Sequence, residues 1–139
     1  IYTHPRFLPP TTLFDAQVDN AMLTEGCCIQ NAKISHSVIG LRSQICGGVT
    51  IKDSILMGND YYERDWVSEG KHFPLQIGKN CYIEGAIIDK NARLGENVVI
   101  RPFPRGTDID GNNWVVRDGI VVIPKGSEIL PNTVIAPND

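Results

Sequence analysis

Aliphatic residues recur along the chain every five or six positions, a rhythm that belongs neither to a helix nor to a half-buried strand. Val18, Leu23, Ile29, Ile34, Ile39, Ile45, Ile51 and Leu56 are separated by steps of 5, 6, 5, 5, 6, 6 and 5. The rhythm pauses, resumes at Ile77, Ile83, Ile88, Leu94 and Ile100, pauses again, and returns at Ile123, Ile129 and Ile135. A helix would bring apolar residues back at 3.6-residue spacing and an ordinary strand would alternate them. A five-to-six-residue recurrence instead calls for a short flat segment followed by a corner, the pattern of hexapeptide repeats. Asn, Gly and Asp fall where corners are needed, as in Gly78-Lys79-Asn80, Asp89-Lys90-Asn91 and Gly95-Glu96-Asn97. These residues tolerate the left-handed backbone that a sharp corner imposes.

The predicted architecture is all-β: a parallel β-helix in which three segments close one triangular coil, with two loop insertions at about 57–76 and 101–119. Coils stacked at about 4.8 Å would place each aliphatic residue over its counterpart one coil away. Each fully buried Ile, Val or Leu then contributes on the order of 1.5–3 kcal/mol, an upper figure because the unfolded chain already hides some surface. The ends of such a solenoid are open and need a cap, another domain or another subunit.

Composition adds limits. A chain of 139 residues with 42% hydrophobic and 21% charged residues suits one globular domain. No run of about 18–20 apolar residues offers a membrane span, and no charged leader with an apolar core opens the chain, so a soluble intracellular protein is expected. A net charge of −3 and a pI near 5.6 argue against nucleic acid as a partner. Cys27, Cys28, Cys46 and Cys81 form no C-x-x-C pair and are expected to pack as small hydrophobes. Residues 1–12, with Pro5, Pro9 and Pro10, read as a semi-rigid interdomain linker ahead of a β-helix domain at 13–139, and the chain as a fragment of something longer.

Candidate chemistry is sparse. His4, His36 and His72 are too dispersed for a three-histidine metal centre, and no metal site is expected. A lone histidine serves some hexapeptide acyltransferases as general base, but nothing around His36 supplies a nucleophile or oxyanion arrangement, so His36 reads as a corner residue. The first insertion carries Gly58-Asn59-Asp60-Tyr61-Tyr62 and charges through Glu63, Arg64, Asp65, Glu69 and Lys71; loops of this length are often functional or interface-forming. Trp66 and Trp114 in the two insertions are expected to pack. Lys90 and Lys125 both sit at corners beside ladder residues and Arg6 lies in the linker; folded together they would attract a small phosphorylated anion, while spacing alone makes them surface cations, and Arg93 and Arg101 are open to the same two readings.

The segments IYTHPRFLPP, SVIGLRSQI, KDSILMGNDYYE, IGKNCYI, AIIDKNARLGENV and GIVVIPKGSEI together resemble the C-terminal region of the ADP-glucose pyrophosphorylases (glucose-1-phosphate adenylyltransferases), in the style of the cyanobacterial and plant forms. The resemblance implies a left-handed β-helix that follows an N-terminal nucleotidyltransferase domain absent from this chain. It implies a parent enzyme that makes ADP-glucose and pyrophosphate from ATP and glucose 1-phosphate with Mg2+, for glycogen or starch synthesis. The fragment alone is then expected to be non-catalytic and without a cofactor of its own, serving regulation and oligomerisation. Its implied partners are its own catalytic domain, the other subunits of a homo- or hetero-tetramer, and small phosphorylated effectors such as sugar phosphates, phosphoglycerate and phosphate. Its implied location is the cytoplasm, or the plastid stroma in a plant. Carried over by position, Lys90 and Lys125 match the two activator-binding lysines, Asp89 adjoins the first, and Arg6 with His4 falls in the segment lining an anion site. His4 departs from the Gln often found there, and Arg101-Pro102-Phe103-Pro104-Arg105-Gly106 departs from the family pattern after Ile100. Two competing readings are a free-standing hexapeptide acyltransferase holding acyl-CoA between coils and a β-helix with no ligand.

Overall fold

The ladder residues lie in strands of mostly two or three residues, and the side chains before and after each one point the other way, as the period-two geometry of a strand requires. The computed structural model describes residues 11–63, 71 and 73–137. Three parallel stacks result. The first face runs through Thr12–Phe14, Cys28–Gln30, Gln44–Ile45, the bridge at Ile77, Arg93–Leu94 and Glu128–Ile129. The second runs through Gln17–Asp19, Lys33–Ser35, Thr50–Lys52, Tyr82–Glu84, Val99–Ile100 and Val134–Ile135. The third takes Met22–Leu23, Val38–Ile39, Ile55–Leu56, Ala86–Ile88 and Ile120–Ile123.

Register matches the periodicity. Ile29 pairs with Ile45, Ile34 with Ile51, Ile39 with Leu56, Ile83 with Ile100 and Ile88 with Ile123, so like sits on like through the interior. The column on the first face begins earlier than the rhythm first shows, since Leu13 pairs with Ile29. The interior is sealed: Ile29, Ile51, Ile83, Leu94 and Ile100 have no exposed surface. The end coils are not, and Leu13, Phe14, Val18 and Met22 at one end and Leu130 and Val134 at the other remain exposed.

Corners use the left-handed region the sequence offers. Asp15, Asn31, Asn80, Asn97 and Asn132 turn the first face into the second, with φ between 43° and 65°, and Asn20, His36 and Asp53 turn the second into the third. His36 is thus a corner residue, its Nδ1 2.7 Å from Asp53 Oδ1 one coil on. Buried Ser37 and Ser54 continue the ladder where the backbone bends: Ser54 N–H donates to Ser37 Oγ, and Ala86 N–H to Ser54 Oγ.

The first insertion separates Leu56 from Ile77 as expected. The second, expected as a loop, is in part a hairpin: Ile109–Asp110 and Val115–Arg117 pair antiparallel, and the latter pairs antiparallel with Ile120–Ile123, extending the third face. Val116 is fully buried there, and Trp114 packs on the core as expected of it. Trp66 lies outside the described residues.

The cysteines behave as small apolar groups. All four are unpaired; Cys27 and Cys81 are buried, and Cys81 Sγ–H donates to Gly95 O at 3.1 Å. Burial pushes the Cys81 thiol up from 9.0 to about 11 and raises Cys27 and Cys46 in the same direction. Above pH 9.0 the unfolded chain therefore releases protons that the folded chain keeps, and stability falls as pH rises. Between about pH 9 and 11, Cys81 alone is expected to steepen that fall by up to about 1.4 kcal/mol per pH unit, and Cys81→Ala to remove its share. Denaturant midpoints of both proteins across that range test this; parallel curves would mean that water reaches the thiol.

Candidate anion site at the third corner

The corner that turns the third face back into the first carries the basic residues. Its column is built by backbone bonds from coil to coil: Asn59 N–H to Leu41 O, Asn91 N–H to Gly58 O, and Gly126 N–H to Lys90 O at 3.0 Å. Ile88 pairs with Ile123 in the strands just before, so Lys90 and Lys125 occupy the same corner position in successive coils, their backbones one strand spacing or about 4.8 Å apart. Asn91 at φ 59° and Gly126 at φ 73° make the turn possible directly after each lysine. The structure thus brings together the two lysines that the sequence singled out. Asp89 adjoins them, its Oδ1 accepting the Lys90 N–H at 2.7 Å. Arg6 and His4 lie outside the described residues.

The first insertion supplies the rest. It leaves the coil at Gly58, and Asp60 and Asn91 clasp each other: Asp60 N–H donates to Asn91 Oδ1 at 2.8 Å, and Asn91 Nδ2 donates to Asp60 Oδ2 at 3.0 Å. The other carboxylate oxygen stands 3.7 Å from Lys90 Nζ, with both side chains about half exposed. The Asn91 hydrogen bond, and then the positive charges of Lys90 and Lys125, hold the Asp60 carboxylate below its ordinary value. Where the insertion returns, Lys71 Nζ donates to Gly126 O at 3.3 Å. Three ammonium groups therefore share one corner with Asp60.

A buried ion pair pins this arrangement. Arg93 lies on the first face beside inward-facing Leu94, at a position that would meet solvent on a bare solenoid, yet its side chain is 1% exposed because the insertion covers it. Its guanidinium grips Glu63 bidentately at 2.5 Å on each oxygen and also donates to Phe73 O at 3.0 Å and Tyr61 Oη at 3.3 Å. Tyr62 Oη donates to Gly26 O at 2.7 Å, which extends the clamp toward the first coils. The Glu63 contact raises the Arg93 pKa further, so the guanidinium keeps its charge inside the fold.

Asp60, Lys71 and Asn91 were missed as site residues. Asp60 and Lys71 were visible only as members of a charged insertion, and no periodicity says where an insertion folds back. Arg93, open in the sequence between an anion ligand and a surface cation, is neither: it is a buried charge. Arg101, open to the same two readings, stacks over the Tyr82 ring at 4.4 Å. Beside Asp89, Asn59 and Gln76 lies a cavity of about 20 Å³. It has room for one water and not for a phosphorylated metabolite.

Stacked aliphatic coils, two insertions and a basic corner define a hexapeptide-repeat β-helix module. The family profile for the GLGC left-handed parallel β-helix domain matches residues 6–134, and the chain belongs to that family, the β-helix domain of the ADP-glucose pyrophosphorylases. The handedness expected from the resemblance is that of the family. The chain is 45% identical over 145 residues to a glucose-1-phosphate adenylyltransferase small subunit, chloroplastic/amyloplastic, of Triticum aestivum. The match covers 97% of the chain and 30% of that relative, so the chain spans about a third of the relative's length.

Proposed function

We propose that this chain is the regulatory and subunit-contact portion of a glucose-1-phosphate adenylyltransferase, receiving a phosphorylated effector at the corner formed by Lys90 and Lys125. The observation that carries the reading is the stacking of these two lysines one coil apart, with Lys71 beside them. Two ammonium groups on adjacent rungs present several donors to one phosphate or carboxylate, and charge-assisted bonds of this kind are the strong ones. Asp89 fixes the backbone at Lys90 and thereby its direction. Arg6 and His4 remain effector-site candidates through the family resemblance alone.

Activity belongs to a nucleotidyltransferase region beyond these residues, where ATP and Mg2+ bind. The effector acts by linkage, favouring whichever arrangement of that region binds it more tightly, and a tenfold preference supplies about 1.4 kcal/mol of bias. The wheat relative is named as a small subunit, which supports assembly with other subunits. Exposed Leu13, Phe14, Val18 and Met22 on the end coil give such contacts an apolar surface. The relative's chloroplastic/amyloplastic naming favours the plastid stroma if the source is a plant.

Lys90→Ala and Lys125→Ala in the full-length protein are each expected to raise the half-maximal activator concentration about tenfold. Turnover without activator is the control. An equal proportional fall in activated and unactivated turnover would assign the lysines to folding or catalysis instead.

A further inference from the structure

We infer that Asp60 is a built-in competitor for the anion site, a carboxylate that occupies Lys90 until an external anion displaces it and so sets the affinity of the site. The inference rests on the anion-site reading above and adds to it the residue that tunes the affinity.

Geometry carries the argument. Lys90 and Lys125 stand on adjacent rungs, and two like charges that close repel unless an anion lies against them. Asp60 Oδ1 provides that anion, 3.7 Å from Lys90 Nζ. The distance is long for a salt bridge, and half of each side chain is open to water, so the contact is weak and exchangeable. The carboxylate does not depend on Lys90 for its position. Asn91 holds it by two reciprocal hydrogen bonds, one to the backbone N–H and one to Oδ2, which leaves Oδ1 to face the ammonium. A phosphate or carboxylate arriving from solvent can take over Lys90 without unfolding the Asp60–Asn91 clasp. The cost of that exchange is the lost attraction between Asp60 and Lys90, together with repulsion between Asp60 and the new anion.

Asp60→Asn removes the charge and keeps an acceptor where Oδ2 receives the Asn91 amide. In the full-length protein at low ionic strength, titrated with inorganic phosphate by calorimetry, Asp60→Asn is expected to bind about threefold more tightly than the parent. The gain is expected to shrink as salt is added. Asp110→Asn is the charge-matched control: it removes a carboxylate from the exposed Arg117–Asp110 pair in the second insertion and is expected to leave phosphate affinity unchanged. In the Asp60→Asn/Lys90→Ala double variant the gain is expected to vanish, because the competitor acts through Lys90. Melting temperatures of all variants establish that each is folded. Unchanged or weaker phosphate binding in Asp60→Asn, with Lys90→Ala still weakening it, would overturn the competitor role and leave the anion site standing. An equal gain in Asp110→Asn would likewise overturn it, by reducing the effect to net charge. If neither Lys90→Ala nor Lys125→Ala alters phosphate affinity, the anion site itself is refuted.

Discussion

Arg93→Ala is expected to destabilise the protein by about 3–5 kcal/mol, and Glu63→Gln by a comparable amount, because each leaves the partner charge buried without its counter-ion. Both side chains are almost wholly removed from water, so solvent cannot compensate the charge that remains. Arg93→Ala also strips a donor from Phe73 O and from Tyr61 Oη, so the first insertion loses its hold on the coil at three points. The double substitution Arg93→Met with Glu63→Leu is expected to cost less than the sum of the single changes, since an apolar pair carries no desolvation penalty. It does not restore full stability, because the Phe73 carbonyl still lacks its donor. Denaturant midpoints give the energies, and limited proteolysis within 57–76 reports whether the insertion has come away. Loss of less than about 1 kcal/mol in Arg93→Ala would place the guanidinium in contact with water and remove the pin from the lysine corner.

That pin also marks where sequence reading stopped. The inward positions were legible because a ladder residue's surroundings are fixed by its own repeat: Ile29, Ile45, Ile83 and Ile129 had to face the interior, and they are buried. Outward positions carry no such constraint. Arg93 follows the ladder as any exposed corner-adjacent cation would, and only the fold of an aperiodic insertion decides that Glu63 lies over it. Lys90 and Lys125 could be brought together from the residues alone only by knowing that the second insertion leaves the third face in register, so that Ile88 meets Ile123. The hairpin within that insertion did leave a signal. Gly111, Asn112 and Asn113 lie between the paired segments Ile109–Asp110 and Val115–Arg117, a turn composition between apolar residues that points to antiparallel pairing.

The second large effect tests the ladder itself. Ile83→Ala is expected to cost about 2–5 kcal/mol, the range for truncating a fully buried aliphatic side chain that its neighbours cannot collapse upon. Ile83 has no exposed surface and is paired on both sides, with Ile51 on one rung and Ile100 on the other. Its backbone is held by parallel ladders to both neighbours, so the rungs cannot close over the missing atoms without breaking hydrogen bonds. Val18→Ala removes an aliphatic group from the same column at the end of the stack, where the side chain is 38% exposed and, among the described residues, paired only with Ile34. That change is expected to cost less than about 1 kcal/mol, because little area leaves water there on folding. In a solenoid each coil is stabilised mainly by its nearest neighbours, so the penalty should depend on rung position more than on residue type. Urea midpoints of the two variants, compared at equal m-value, measure that difference. Equal penalties at Ile83 and Val18 would mean that the end coil is as well covered as the middle, and would contradict the open-ended stack.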